Sequence, residues 1–197
     1  MSLPFTIENL KERIALYEDM KAYKELYDLL FNGLHRFSFS IVKSKEVAEE
    51  IVSDVFIKIW QIRHRLPEIE NLRVYLYTIT KNFSINYIHR NYKNTSVSLD
   101  DMDIEPVIEL GTPEELCISA EMVNKIRRAI QQLPPQCRAI FQLVKEDGMK
   151  YREVADVLNI SVFTVRNQVA IAVRKLGEVF PSYVQSNNEL MNRFSAS

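Results

Sequence analysis

Glycine is scarce in this chain, four residues in 197, and the scarcity excludes a good deal. Walker loops, dinucleotide fingerprints and nucleophile elbows all need glycine where backbone crowds a phosphate or turns sharply, and none of these patterns occurs. Cysteine is nearly as rare. Cys117 and Cys137 are far apart and in helical context, so they read as reduced thiols rather than a disulfide frame or half of a zinc site. The three histidines, His35, His64 and His89, have no partner at metal-ligand spacing. Glu49-Glu50 and Asp100-Asp101 are adjacent in sequence, and adjacent helix residues do not share a face. No apolar run approaches the ~20 residues of a membrane span. The opening MSLPFTIENLKER puts acids and bases where a secretory leader would carry an apolar core. These absences predict a cytoplasmic, non-enzymatic protein with no cofactor, no metal and no small-molecule substrate.

An excess of charge is missing too, since the formal net charge is −1. The balance hides segregation. Residues 71–95 hold four Lys/Arg and no acid, whereas residues 97–124 hold eight Asp/Glu and no Lys or Arg. Opposite blocks in one chain suggest a basic binding surface and an acidic linker.

What the chain does have is helix. The fold class is all-α: two small helical domains joined by an acidic linker, the C-terminal one containing a helix-turn-helix. The boundaries read from the sequence are 1–95, a linker at 96–113, 114–182, and a polar tail at 183–197.

The most informative stretch is Met149 to Leu176. Val154, Ala155 and Leu158 form one apolar face, and Val165, Val169, Ala172 and Leu176 form another at helical spacing. Between them lies Asn159-Ile160-Ser161. Asn tolerates the left-handed conformation that closes a helix, and Ser is a favoured cap for the next. The second helix of such a motif can enter a major groove. Its outward face would carry Val162, Phe163, Thr164, Arg166, Asn167, Ala170 and Arg174, with Arg166 and Asn167 suited to guanine and adenine edges. An ordinary αα-hairpin is the plainer alternative.

Upstream, the first helix runs to about Met20 with Ile7, Leu10, Ile14 and Tyr17 inward. A largely apolar one follows from Tyr23 to the Lys43-Ser44-Lys45 turn. The next, KEVAEEIVSDVFIKIWQIRHRL, aligns Val47, Ile51, Val55 and Ile59 and shows Glu49, Glu50, Ser53, Asp54 and Lys58 on its other side. That acidic face is either merely solvated or a docking surface for a basic partner. After Pro67, Asn71 caps NLRVYLYTITKNFSINYIHRNYKN. Leu72, Leu76, Ile79, Phe83 and Ile85 or Tyr87 suit a core, with Tyr75 the tyrosine expected to join them. The other faces interleave Arg73, Tyr77, Lys81, Asn82, His89 and Arg90 without an acid, the composition of a surface that stacks unpaired bases and neutralises phosphates. Past the linker, Ile126, Ile130 and Leu133 form a stripe that Pro134-Pro135 ends, and Pro135 opens a helix packing Ile140, Phe141 and Val144.

Taken together, EEIVSDVFIKIW (49–60), NLRVYLYTITKNFSINYIHR (71–90) and LPPQCRAIFQL with the helix-turn-helix (133–176) resemble an extracytoplasmic function (ECF) sigma factor. The resemblance implies core RNA polymerase and promoter DNA as partners, and an anti-sigma factor of the kind often anchored in the membrane. By resemblance Glu50, Ser53, Asp54 and Ile57 belong to the polymerase-binding face. The loop with Arg63 and Arg65, and the helix face with Arg73, Tyr77, Lys81, Asn82, His89 and Arg90, would hold the melted downstream element. The recognition helix would read the upstream element. Ser53 stands where the family usually has Gln, Asn159 where it has Gly, and Gln168, Ala170 and Ile171 where basic or aromatic residues are common. A stand-alone helix-turn-helix regulator with an N-terminal sensor domain is the alternative, and a helical protein-binding scaffold a third.

Overall fold

The computed structural model describes residues 3–91, 125 and 128–179, with side chains for 6–91, 125 and 128–178. Every regular element among the described residues is helical. The chain divides into two compact units, Met1–Val97 and Ser98–Ser197. The expected linker, the tail and Cys117 lie outside the described residues.

In the first unit, α1 (Leu3–Tyr17), α2 (Met20–Val42), α3 (Lys45–Gln61), a 3-10 segment (Arg63–Glu68) and α4 (Leu72–Asn91) follow one another. Their ends are set by local chemistry. Asp19 caps α2 by accepting from the Lys21 and Ala22 amides at 2.8 and 3.2 Å. Lys43, at φ 62°, closes α2 and Ser44 caps α3, accepting from the Val47 amide at 3.3 Å. The Asn71 side chain accepts from the Val74 amide at 3.1 Å and so starts α4. α3 stops at Gln61, short of the expected Leu66; the RHRLPE sequence tightens into the 3-10 segment that buries Leu66.

α2, α3 and α4 pack on one another, and α1 lies across α2 and the 3-10 segment. Leu26, Leu34 and Phe37 of α2, Val52, Val55, Phe56 and Ile59 of α3, and Leu72, Leu76 and Tyr77 of α4 fill the core. α1 adds Ile7, Leu10 and Ile14, but Tyr17, expected inside, is 76% exposed because α1 ends there.

In the second unit, residues 128–131 form a helical turn before α5 (Pro135–Lys145), α6 (Tyr151–Leu158) and α7 (Val162–Val179). Pro135 sits in the first turn of α5, where a missing amide hydrogen costs nothing. The buried Arg138 guanidinium donates to the Gln131 carbonyl and to that of Leu133 at 2.8 Å, tying the preceding turn to α5. Gly148, at φ 63°, lets the chain reverse, and the Met149 amide reaches back to the Leu143 carbonyl at 2.9 Å. A core of Ile130, Leu133, Cys137, Phe141, Ala172 and Leu176 joins α5 to α7.

Candidate nucleic-acid and polymerase interfaces

The turn between α6 and α7 is built as its sequence predicts. Asn159 adopts φ 56°, ψ 48°, and the Ile160 amide donates to the Ala155 carbonyl at 3.0 Å. The Ser161 hydroxyl accepts from the Thr164 amide at 3.0 Å and so caps α7. With Val154, Ala155, Val157 and Leu158 buried on α6, and Val165, Val169, Ala172, Val173 and Leu176 buried on α7, the two helices share one apolar seam. The other side of α7 faces outward. Val162 and Phe163 are 39% and 70% exposed, Arg166, Asn167, Ala170 and Arg174 are exposed, and Thr164 is half-buried. Lys150, Arg152 and Lys175 are also exposed, cations of this unit that the motif-based reading passed over. Inside, Cys137 is free and donates its thiol to the Gln168 carbonyl at 3.2 Å. Burial pushes that thiol up to about 11, so it stays protonated and unreactive at neutral pH.

On α3, Glu50 and Asp54 are exposed and Ser53 half-buried, while Ile57 is 53% exposed. Spacings of three and four residues place all four on one side. The Ser53 hydroxyl donates to the Glu49 carbonyl at 2.8 Å, a bond within its own helix. Beside this face runs a groove of about 290 Å³, lined by Glu50, Ile51 and Asp54 from α3 and by Phe83, Tyr87 and Arg90 from α4 among others. Residues expected at the polymerase face and one expected at DNA therefore share a groove.

α4 departs from expectation. Tyr77 is 1% exposed, its ring centroid 5.5 Å from that of Phe37, and Arg73 and Lys81 are 8% exposed. These three candidate DNA contacts are corrected to buried positions. The Arg73 guanidinium carbon lies 6.0 Å from the Tyr77 ring, and burial lowers the Lys81 pKa. The reason is the crossing with α2. There Ser38 and Ser84 are fully buried with their hydroxyls 3.0 Å apart. Thr80 and Ser84 also donate to the Leu76 and Thr80 carbonyls, each at 2.8 Å. Small hydroxyl residues that satisfy themselves on the helix backbone let two helices approach, and the buried stripe follows Leu72, Leu76, Thr80 and Ser84. Ile79 and Phe83, expected in the core, are rotated to half-exposed positions, as are both Ile85 and Tyr87, one of them expected there. Asn82, His89 and Arg90 are exposed.

Tyr75, expected in the core, is also half-exposed. It lines a second pocket, of about 330 Å³, with Lys58, Ile62, Arg65, Glu68 and Ile69. Arg65 is exposed and pairs with Glu68 at 3.2 Å. Arg63 is half-buried and turned onto protein groups: Glu18 at 2.9 Å, the Trp60 carbonyl at 3.1 Å and the Trp60 ring at 4.9 Å. It is not held out for phosphate. No local pattern marks the Tyr75 pocket; the small residues Ser38 and Ser84, which meet at the helix crossing, are the one signal of which side of α4 is buried.

A first unit with an acidic helix beside an aromatic one, and a second ending in a capped helix-turn-helix, define a two-part helical DNA-binding protein. Residues 22–94 match the family description "Sigma-70 region 2" and residues 124–176 match "Sigma-70, region 4". The two matches fall in chain order and together span well over half the chain, so this protein belongs to the sigma-70 family. Within it, the chain is an ECF-type sigma factor. It is 24% identical to the ECF RNA polymerase sigma factor SigW of Bacillus subtilis over 169 residues, covering 81% of this chain and 90% of that protein. It is 27% identical to the ECF RNA polymerase sigma-E factor of Escherichia coli K12 over 176 residues, covering 86% and 91%. Two solved structures share the fold. One is the sigma factor RpoE in complex with the anti-sigma factor NepR from Bartonella quintana, with TM-score 0.56, 20% identity and coverage of 82% and 98%. The other is CnrH in complex with the cytosolic domain of CnrY, with TM-score 0.53, 18% identity and coverage of 91% and 97%. With the N-terminal unit matching region 2, that unit is no separate sensor domain. Among the described residues, no helix is long and apolar enough to cross a membrane.

Proposed function

We propose that this sigma factor acts in the cytoplasm, contributes no catalytic chemistry of its own, and divides promoter recognition between its two units. Residues 1–95 bind core polymerase and hold the opened downstream element. Residues 114–182 read the upstream element as intact duplex, and 96–113 join them. The outward face of α7 is the observation that carries this reading. Arg166 and Asn167 stand exposed over a helix whose opposite side is fully committed to the core. Side chains so placed can reach base edges when the helix lies in a major groove. Val162 and Phe163 offer apolar contact to thymine methyls, and Thr164, Ala170 and Arg174 continue the surface. Glu50, Ser53, Asp54 and Ile57 form the polymerase-facing side of α3. For the separated strand, Arg65, Asn82, His89 and Arg90 remain exposed, and the pocket walled by Tyr75 and Ile69 suits an unstacked base beside an aromatic ring. The fold relative solved in complex with the anti-sigma factor NepR supports an anti-sigma factor as a further partner here.

Purified chain added to core RNA polymerase tests the reading. Promoter-dependent transcription that requires the chain supports it, and polymerase-free operator binding without such transcription overturns it. Reversing charge in E50K/D54K lowers affinity for core polymerase while leaving the thermal transition in place; unchanged affinity removes that face from the proposal.

A further inference from the structure

α1 precedes the region-2 match, which begins at residue 22. Its contacts are specific. Lys11 is 4% exposed, an unusual place for a lysine, and its ammonium donates to the Ile69 carbonyl at 3.0 Å while pairing with Glu8. A buried lysine is costly unless its charge is met, and one that spends a hydrogen bond on a backbone carbonyl 58 residues away fixes that backbone.

The other end of α1 does the same. At the α1–α2 turn Glu18 adopts φ 49°, a conformation that costs a non-glycine residue energy unless its surroundings hold it. Arg13 donates to Asp19 from Nε and Nη2 at 3.0 and 2.7 Å, and Asp19 caps α2. The turn so fixed directs the Glu18 carboxylate at Arg63, 2.9 Å, and His64, 3.5 Å. The 3-10 segment is thus gripped at its first residue through Glu18 and just past its end through Lys11. Ile69, the residue Lys11 holds, also lines the pocket with Tyr75.

We infer that α1 is a brace for the Arg63–Ile69 segment, with Lys11 and Glu18 as positioning residues that set the geometry in which the separated promoter strand is held. The inference rests on the strand-holding role proposed above. Lys11 touches no DNA; it acts through the Ile69 carbonyl. A wall of the pocket displaced by even an ångström would lose its fit to a base, although the groups in the pocket were unchanged.

The test uses the full chain with core polymerase, on a promoter recovered from the DNA that this holoenzyme transcribes. The probes are that promoter as closed duplex and as a fork single-stranded through the downstream element. Lys11→Met keeps the buried aliphatic stem and removes the donor. It should weaken fork binding at least about tenfold, with core affinity and protection of the upstream element unchanged, and Lys11→Arg should restore the loss. Glu18→Gln, at a half-exposed carboxylate where folding is not at stake, should shift fork binding the same way by less. Wild-type fork affinity in both Lys11→Met and Glu18→Gln overturns the brace. So does a parallel fall in core affinity, or failure of Lys11→Met to fold together with a silent Glu18→Gln, because each leaves α1 a purely structural role. If the wild-type chain gives no promoter-dependent binding at all, the strand-holding reading itself fails and takes the brace with it.

Discussion

α4 and α7 are helices of similar length, 20 and 18 residues, and both carry cations and uncharged polar groups on what the sequence presents as an outward face. In α7 that face is outward. In α4 its centre is buried, with Arg73, Tyr77 and Lys81 covered. The difference lies in what each helix offers its own core. α7 supplies Val165, Val169, Ala172 and Leu176, an unbroken apolar stripe that leaves one orientation open to it. α4 spreads its apolar residues around the axis, so several rotations bury comparable area. The choice between them falls to Thr80 and Ser84, whose small hydroxyls permit a close crossing with Ser38. Apolar periodicity is thus a sound guide to a helix face only where the stripe is continuous.

Substitution can break this contrast directly. Tyr77→Ala should cost roughly 3–5 kcal/mol of stability, the range for deleting a large buried aromatic side chain, read as a lower midpoint in urea unfolding. A variant of native stability that had lost only strand opening would return Tyr77 to the DNA surface. Arg166→Ala should show the opposite signature. The expected loss is about 1–3 kcal/mol of discrimination at one upstream base pair, measured by holoenzyme binding to promoters changed at single positions, with the unfolding midpoint unmoved. An equal loss on every sequence would make Arg166 a phosphate contact instead.

The smallest expected effect lies in acid. The Arg13 guanidinium, with the Ala22 and Lys21 amides, holds the Asp19 carboxyl below its ordinary value. Because the folded value is the lower one, the stabilisation is present above the unfolded value and is lost as pH falls through the folded value, that is, below about pH 4. Asp19→Asn should therefore flatten the dependence of the thermal midpoint on pH between about 4 and 2, and an unchanged slope would show that the pair contributes nothing. The α1–α2 turn is so exposed that the shift should be slight.

Much of the fold was legible without coordinates. Ser44, Asn71, Asn159 and Ser161 each act at a helix end by chemistry local to a few residues, and Pro135 and Gly148 mark a start and a reversal for the same reason. The family resemblance rested on strings of that local kind together with their order. The site was legible by halves. Val162, Phe163, Arg166 and Asn167 are exposed where the helix-turn-helix seam requires them to be. The exchange of Tyr75 for Tyr77, the engagement of Arg63 by Glu18 and the grip of Lys11 on Ile69 were not legible.

By itself the sequence determined the all-helical character, the capped turns at Asn71, Asn159 and Ser161, the helix-turn-helix and the family, because each rests on propensity, capping or periodicity within a span of a few turns. Only tertiary structure decided which side of α4 is inside and what α1 holds. Those outcomes depend on hydroxyls meeting across a helix crossing and on contacts between residues 45 and 58 positions apart, and no local pattern encodes a partner that far along the chain.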